Sequence, residues 1–127
     1  MIVAGLGFRR GVAPEEIMEM VERALGQAAL GRKELSFLAT AASRAAEPGL
    51  LTAAGLLGLK IEAVPGDRLV AAEPRVVTWS QRVRALHGVG SVAESAALSA
   101  AGPQSRLLVQ RISNGRATCA IATGAGP

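Results

Sequence analysis

The sequence predicts an α/β fold: a three-layer α/β/α arrangement with a mixed, mainly parallel sheet and a C-terminal antiparallel hairpin. Three observations carry that expectation. Short apolar runs alternate with helical periodicity from residue 2 to residue 64, Pro and Gly punctuate the junctions, and Ser113-Asn-Gly115 separates two strand-like runs near the end. With 127 residues, 50% hydrophobic and 19% charged, the chain is expected to form a single domain over 1–127 around one core.

Ile2 to Leu6 reads as a short buried strand, and Gly7 to Ala13 as the loop leading to Pro14-Glu15-Glu16. Proline suits the first helical position, and the two acids suit the positive end of the helix dipole. Ile17, Met20, Val21, Ala24 and Leu25 then recur at helical spacing, with Gly26 placed to end the helix. Leu35 to Ala39 is a second strand. Glu47-Pro48-Gly49 opens a helix to about Leu57, and Leu59 to Val64 makes a third strand. Such alternation implies right-handed parallel crossovers with helices covering the sheet.

Pro65-Gly66-Asp67 breaks the chain ahead of a short turn through Ala72. Thr78-Trp-Ser-Gln81 and Ser91-Val-Ala-Glu94 both match the capping-box pattern, which places helices over about 79–87 and 92–101. Gly102-Pro103 stops the second of these. Arg106 to Ile112 is then expected to pair with Arg116 to Ala122 across an Asn-Gly turn.

The formal net charge is +4, and the 14 basic residues include only two lysines, Lys33 and Lys60. Arginine presents a planar fork that matches carboxylate and phosphate, so the bias suits an anionic ligand with several acid groups. An Ala-, Gly- and Arg-rich genome would give the same composition. Nucleic acid fits poorly as a partner, because aromatics make up 2% of the chain and the arginines are scattered. The start, Met-Ile-Val-Ala-Gly, has no basic segment ahead of an apolar stretch, and the run from Leu50 to Leu59 is about half the length a membrane helix needs. No membrane association is expected. Cys119 is the one cysteine, and a buried thiol in a reducing cytoplasm is its expected state.

Gly5, Gly7 and Gly11 give G-x-G-x-x-x-G between a strand and a helix, one residue longer than the dinucleotide fingerprint. No acid ends the second strand to hold a ribose, since Ala39 and Thr40 stand there, so a nicotinamide cofactor is not expected. Gly26 to Gly31 has P-loop spacing but is followed by Arg32-Lys33 and preceded by a helix. What survives is a loop at the carboxyl end of the first strand bearing Arg9 and Arg10, where open α/β sheets usually bind ligands. A plain strand-to-helix turn with two solvated arginines is the alternative.

One histidine and one cysteine, far apart in the sequence, do not make a metal-ligand set, and no metal or cofactor is expected. His87, Ser91 and Glu94 lie close in sequence without a nucleophile-elbow pattern, and helix capping accounts for Ser91 and Glu94. His87 precedes Gly88-Val-Gly90 at a helix junction, where it would either stabilise a helix end or line a pocket rim. Glu47 follows the second strand, at the same sheet edge as Gly5 to Gly11, and is a candidate base or a simple helix-start acid.

Three stretches together resemble one family: Gly5-Leu-Gly-Phe-Arg-Arg-Gly-Val12, Ala39 to Leu50 ending Glu-Pro-Gly-Leu, and Gly88-Val-Gly-Ser-Val-Ala-Glu-Ser-Ala-Ala-Leu98. They are similar to the signature segments of the CobE and CbiG C-terminal domain family of cobalamin biosynthesis, and the resemblance spans essentially the whole chain. Phe8 stands where that family often has Cys, and Arg44-Ala45-Ala46 where it often has Lys-Ala-Asp, so no catalytic Cys or Asp is implied at those places.

The resemblance implies a corrinoid or precorrin ligand, a macrocycle carrying many acetate and propionate arms. For CbiG the resemblance implies opening of a corrinoid lactone with release of acetaldehyde, and an additional N-terminal domain; this chain is expected to be a stand-alone, CobE-like form. The leading expectation is an auxiliary or carrier protein. Arg9, Arg10 and Arg44 would lie near the acids, with Gly5, Gly7, Gly11, Gly88, Gly90 and Ser91 forming the remaining ligand surface. The alternatives are a hydrolase acting on a precorrin lactone with Glu47, His87 or Glu94 as general base, and a docking module for another cobalamin-pathway enzyme such as a methyltransferase.

Overall fold

The computed structural model describes residues 1–78 and 91–126. In chain order these form β1 (Ile2–Phe8), α1 (Pro14–Gln27), β2 (Phe37–Ala41), α2 (Pro48–Leu57), β3 (Ile61–Val64), α3 (Gly66–Ala72), α4 (Val92–Ala101), β4 (Arg106–Ser113) and β5 (Ala117–Thr123). The helix expected over 79–87 lies outside the described residues.

The strands make one mixed sheet in the order β3-β2-β1-β5-β4. β1 pairs parallel with β2, and β2 with β3, whereas β5 runs antiparallel to both β1 and β4. Helices cover both faces. Ala4, Leu6, Leu38 and Ile121 pack with Ile17, Met20 and Val21 of α1 and Leu50 and Ala53 of α2. Val3, Ala39, Ala41 and Ala122, from the opposite face, pack with Leu69 of α3 and Ala96, Ala97 and Leu98 of α4. Two successive crossovers that step the same way along the sheet with the same hand must leave their helices on one face, as α1 and α2 do.

Nearly all of α4 is buried, which explains its composition. It lies against β1 so closely that a Cβ on Gly5 would stand 2.0 Å from the Ala93 carbonyl oxygen and 2.8 Å from the Ala97 Cβ. A helix of small residues over a strand glycine permits that approach.

Several boundaries differ from the sequence expectation for local reasons. β1 continues to Phe8 because Gly7 and Phe8 pair with Thr118 and Ala117, so Gly5 and Gly7 belong to the strand and the loop is shorter. A tight turn at Arg32–Glu34 takes up the chain ahead of β2, and pairing with β1 starts at Phe37 rather than Leu35. α1 passes through Gly26 and ends at Gln27; the Leu30 amide donates to the Leu25 carbonyl and the Ala29 amide to the Gly26 carbonyl, with Ala29 in the left-handed region at φ 55°. Among the described residues, no helix is long and apolar enough to cross a membrane.

Candidate functional site

A cavity of about 480 Å³ opens beyond the carboxyl ends of β1 and β2 and is closed on the far side by the β4–β5 hairpin. Gly7, Phe8, Thr40, Ser91, Val92 and Thr118 form much of its wall. β1 is where parallel pairing gives way to antiparallel pairing, with connections leaving to either side, and such a switch in an open α/β sheet leaves a crevice.

Five arginines complete the lining: Arg9, Arg10, Arg44, Arg111 and Arg116. Arg116 pairs with Glu16, Nε to Oε2, at 3.1 Å. The other four have no ion pair among the described residues. Arg9 and Arg10 are exposed on the loop after β1. Arg44 ends the turn after β2, and its Nε and that of Arg111 are buried without a hydrogen-bond partner among the described residues. A buried guanidinium N–H with no acceptor is costly, and a carboxylate reaching it would remove that cost.

Arg111 owes its place to a bulge. Val109 faces Ile121 and Ile112 faces Cys119, so Gln110 and Arg111 together oppose the one residue between, Ala120. The Arg111 amide donates instead to Glu94 Oε2 at 2.9 Å. Glu94, fully buried in α4, also accepts from the Val77 amide at 2.9 Å, the Thr78 amide at 2.8 Å and the Thr78 hydroxyl at 2.6 Å. The capping motif at Ser91 is therefore half formed. Ser91 Oγ accepts from the Glu94 amide at 3.3 Å, while the Glu94 carboxylate turns away to tie the 77–78 segment and β4 onto α4.

The remaining sequence candidates fall in different places. Glu47 accepts from the Gly11 amide at 2.5 Å, fastening the start of α2 to the loop after β1; its carboxylate is not part of the cavity wall. Gly11, at φ +82°, supplies the left-handed turn this requires. Gly5 is a correction to the expected ligand surface: α4 seals it off, and its role is close helix-to-strand packing. Gly7 stays at the wall, with a Cβ there 2.6 Å from Thr118 Oγ1. His87, Gly88 and Gly90 lie outside the described residues. Among the described residues, no cluster of His, Cys, Asp or Glu is arranged to hold a metal ion.

Arg9, Arg10, Arg44 and Ser91 thus meet at one cavity although they come from three junctions of the chain. Thr40, Arg111 and Arg116 belong to the same wall and were not singled out from sequence. Thr40 offers a signal in retrospect, as a polar residue ending an apolar strand; its hydroxyl donates to the Leu6 carbonyl at 2.8 Å. Arg111 offers none, because the bulge that turns it breaks strand alternation.

Comparison with known proteins places this architecture. The family model for the cobalamin synthesis G C-terminus matches residues 2–122. Protein CobE of Sinorhizobium sp is 36% identical over 121 residues, covering 95% of this chain and 79% of that protein. The crystal structure of CobE, a protein from the cobalamin (vitamin B12) biosynthetic pathway, superposes with a TM-score of 0.92 at 34% identity, over 100% of this chain and 92% of the other. Cobalamin biosynthesis protein chiG from Agrobacterium tumefaciens str. C58 gives 0.77 at 38% identity, over 98% and 99%. A cobalamin biosynthesis protein G homolog from Sulfolobus solfataricus shares the fold at 24% identity with a TM-score of 0.76, over 98% of this chain and 37% of that one. The chain belongs to the cobalamin synthesis G C-terminus family and is a CobE-like member of it.

Proposed function

We propose that the chain binds a polycarboxylated corrinoid intermediate of cobalamin biosynthesis as an auxiliary or carrier protein. The observation that carries this reading is the cavity with five arginines, four of them without a counter-carboxylate among the described residues and two with buried, unpartnered Nε atoms. Its size falls within the range of small-molecule sites. In this reading an edge of the macrocycle and its acid arms enter the cavity while the rest of the ring stays outside. Arg44 and Arg111 take the deepest carboxylate, and Arg9 and Arg10 receive acids at the rim.

Of the three candidate bases, His87 lies outside the described residues, and the positions of the two carboxylates favour binding over hydrolysis. A general base must stand within hydrogen-bond reach of the attacking water. Glu47 is committed to the Gly11 amide, and Glu94 to four donors behind the wall. Neither faces the cavity.

Titration with hydrogenobyrinic acid, followed by visible absorbance, tests the reading. Saturable binding is expected, weakened about a hundredfold in the Arg44→Ala plus Arg111→Ala variant, since a hydrogen bond to a charged group contributes about 1.5–3 kcal/mol. Absence of saturation, or equal affinity for wild type and variant, contradicts it.

A further inference from the structure

A second, smaller cavity of about 220 Å³ adjoins the first, and Arg9, Arg10, Gly115 and Arg116 line both. Its remaining wall is Gly11, Val12 and Glu16. Glu16 is the acid of this space. Its Oε1 accepts from the Ala13 amide at 2.9 Å, capping α1, and its Oε2 pairs with Arg116 at 3.1 Å.

We infer that this smaller cavity is a second carboxylate subsite, and that Glu16 occupies it as an internal stand-in for an acid arm of the ligand. The inference rests on the proposed binding of a polycarboxylate. Three features support it beyond proximity. The space suits an acid arm rather than a ring. Glu16 Oε2 makes a single contact with an arginine whose side chain is 76% exposed, so the pair is readily exchanged. The hairpin tip holding Arg116 is fixed independently of that pair. Asn114 Oδ1 accepts from the Arg116 and Ala117 amides at 2.9 Å each, and Asn114 Nδ2 donates to Glu19 at 2.9 Å.

The Arg116 backbone therefore stays beside the first turn of α1 when Glu16 lets go, and its exposed side chain is free to form the same pairing with a ligand carboxylate. A ligand with two acids spans both cavities, and holding the first raises the effective concentration of the second. Glu16 makes the subsite selective, because only an anion can repay the loss of its ion pair.

The test uses two probes, hydrogenobyrinic acid and the planar benzene hexacarboxylate mellitate, on the full chain. Glu16→Gln keeps an oxygen to cap Ala13 and frees Arg116, so it is expected to tighten both probes about tenfold. Glu15→Gln removes the same charge from the same helical turn without touching Arg116 and is expected to change affinity less than about twofold. Arg116→Ala, added to Glu16→Gln, is expected to abolish the gain. Equal tightening by the Glu15 and Glu16 variants overturns the subsite, as does unchanged affinity in Glu16→Gln or failure of mellitate to saturate that variant. Mellitate binding with this pattern, in the absence of corrinoid binding, supports the subsite and sinks the corrinoid reading instead.

Discussion

Glu94 is the residue on which the wall of the site turns. Four donors from two other segments converge on its buried carboxylate, and removing it leaves these part-buried donors without that acceptor. Glu94→Ala is expected to lower unfolding free energy by about 3 kcal/mol, and Glu94→Gln by about half as much, because an amide oxygen still accepts. Urea denaturation measures both; variants as stable as wild type would contradict this account of the contacts. Cys119 is the second informative residue. Burial pushes its thiol from 9.0 up to about 12, so the native protein holds almost no thiolate near neutral pH. Alkylation by iodoacetamide is expected only after unfolding. An unfolded chain ionises this thiol before the folded one does, so Cys119 subtracts stability as pH rises above its ordinary value, and Cys119→Ser should flatten that decline. Rapid native alkylation would show the thiol to be accessible.

At the scale of elements, the seat of α4 on β1 is the sharpest constraint. Gly5→Ala drives a Cβ into the Ala93 carbonyl and is expected to cost about 3 kcal/mol or more, read as a drop in denaturation midpoint. A neutral outcome would mean that α4 is not held this close. The elements themselves were largely legible in the sequence. Pro14-Glu15-Glu16, Pro48-Gly49, Ser91 and Asn114-Gly115 each carry local chemistry that fixes an end or a turn, and α1, α2, α4 and the hairpin follow. The glycines misled for a physical reason: Gly5 and Gly7 look like a loop signal, yet strand pairing with β5 and the approach of α4 require them inside β1. Half of the cavity was legible, because Arg9, Arg10 and Arg44 sit in loops after parallel strands. Arg111 and Arg116 became members through a bulge and a hairpin register, which are tertiary facts.

For the whole molecule, the sheet's change from parallel to antiparallel pairing at β1 creates the crevice, and five arginines from three parts of the chain give it positive charge. Helices pack on both faces of that edge, and Arg44 and Arg111 present buried Nε atoms there, while Arg9, Arg10 and Arg116 stand exposed at the rim. Arranged donors bind polyacids with little ordering cost. The double arginine variant and the Glu16 exchange both act on this one surface, but the first empties the deep subsite and the second opens the shallow one. A crystal structure of the protein with hydrogenobyrinic acid tests the central claim most directly. The account predicts a ring edge at the carboxyl ends of β1 and β2, with a carboxylate within hydrogen-bond distance of Arg44 Nε and Arg111 Nε. A corrinoid seated elsewhere, for example in the cleft between α3 and α4 lined by Arg68 and Arg75, with both Nε atoms still unpartnered, would contradict it.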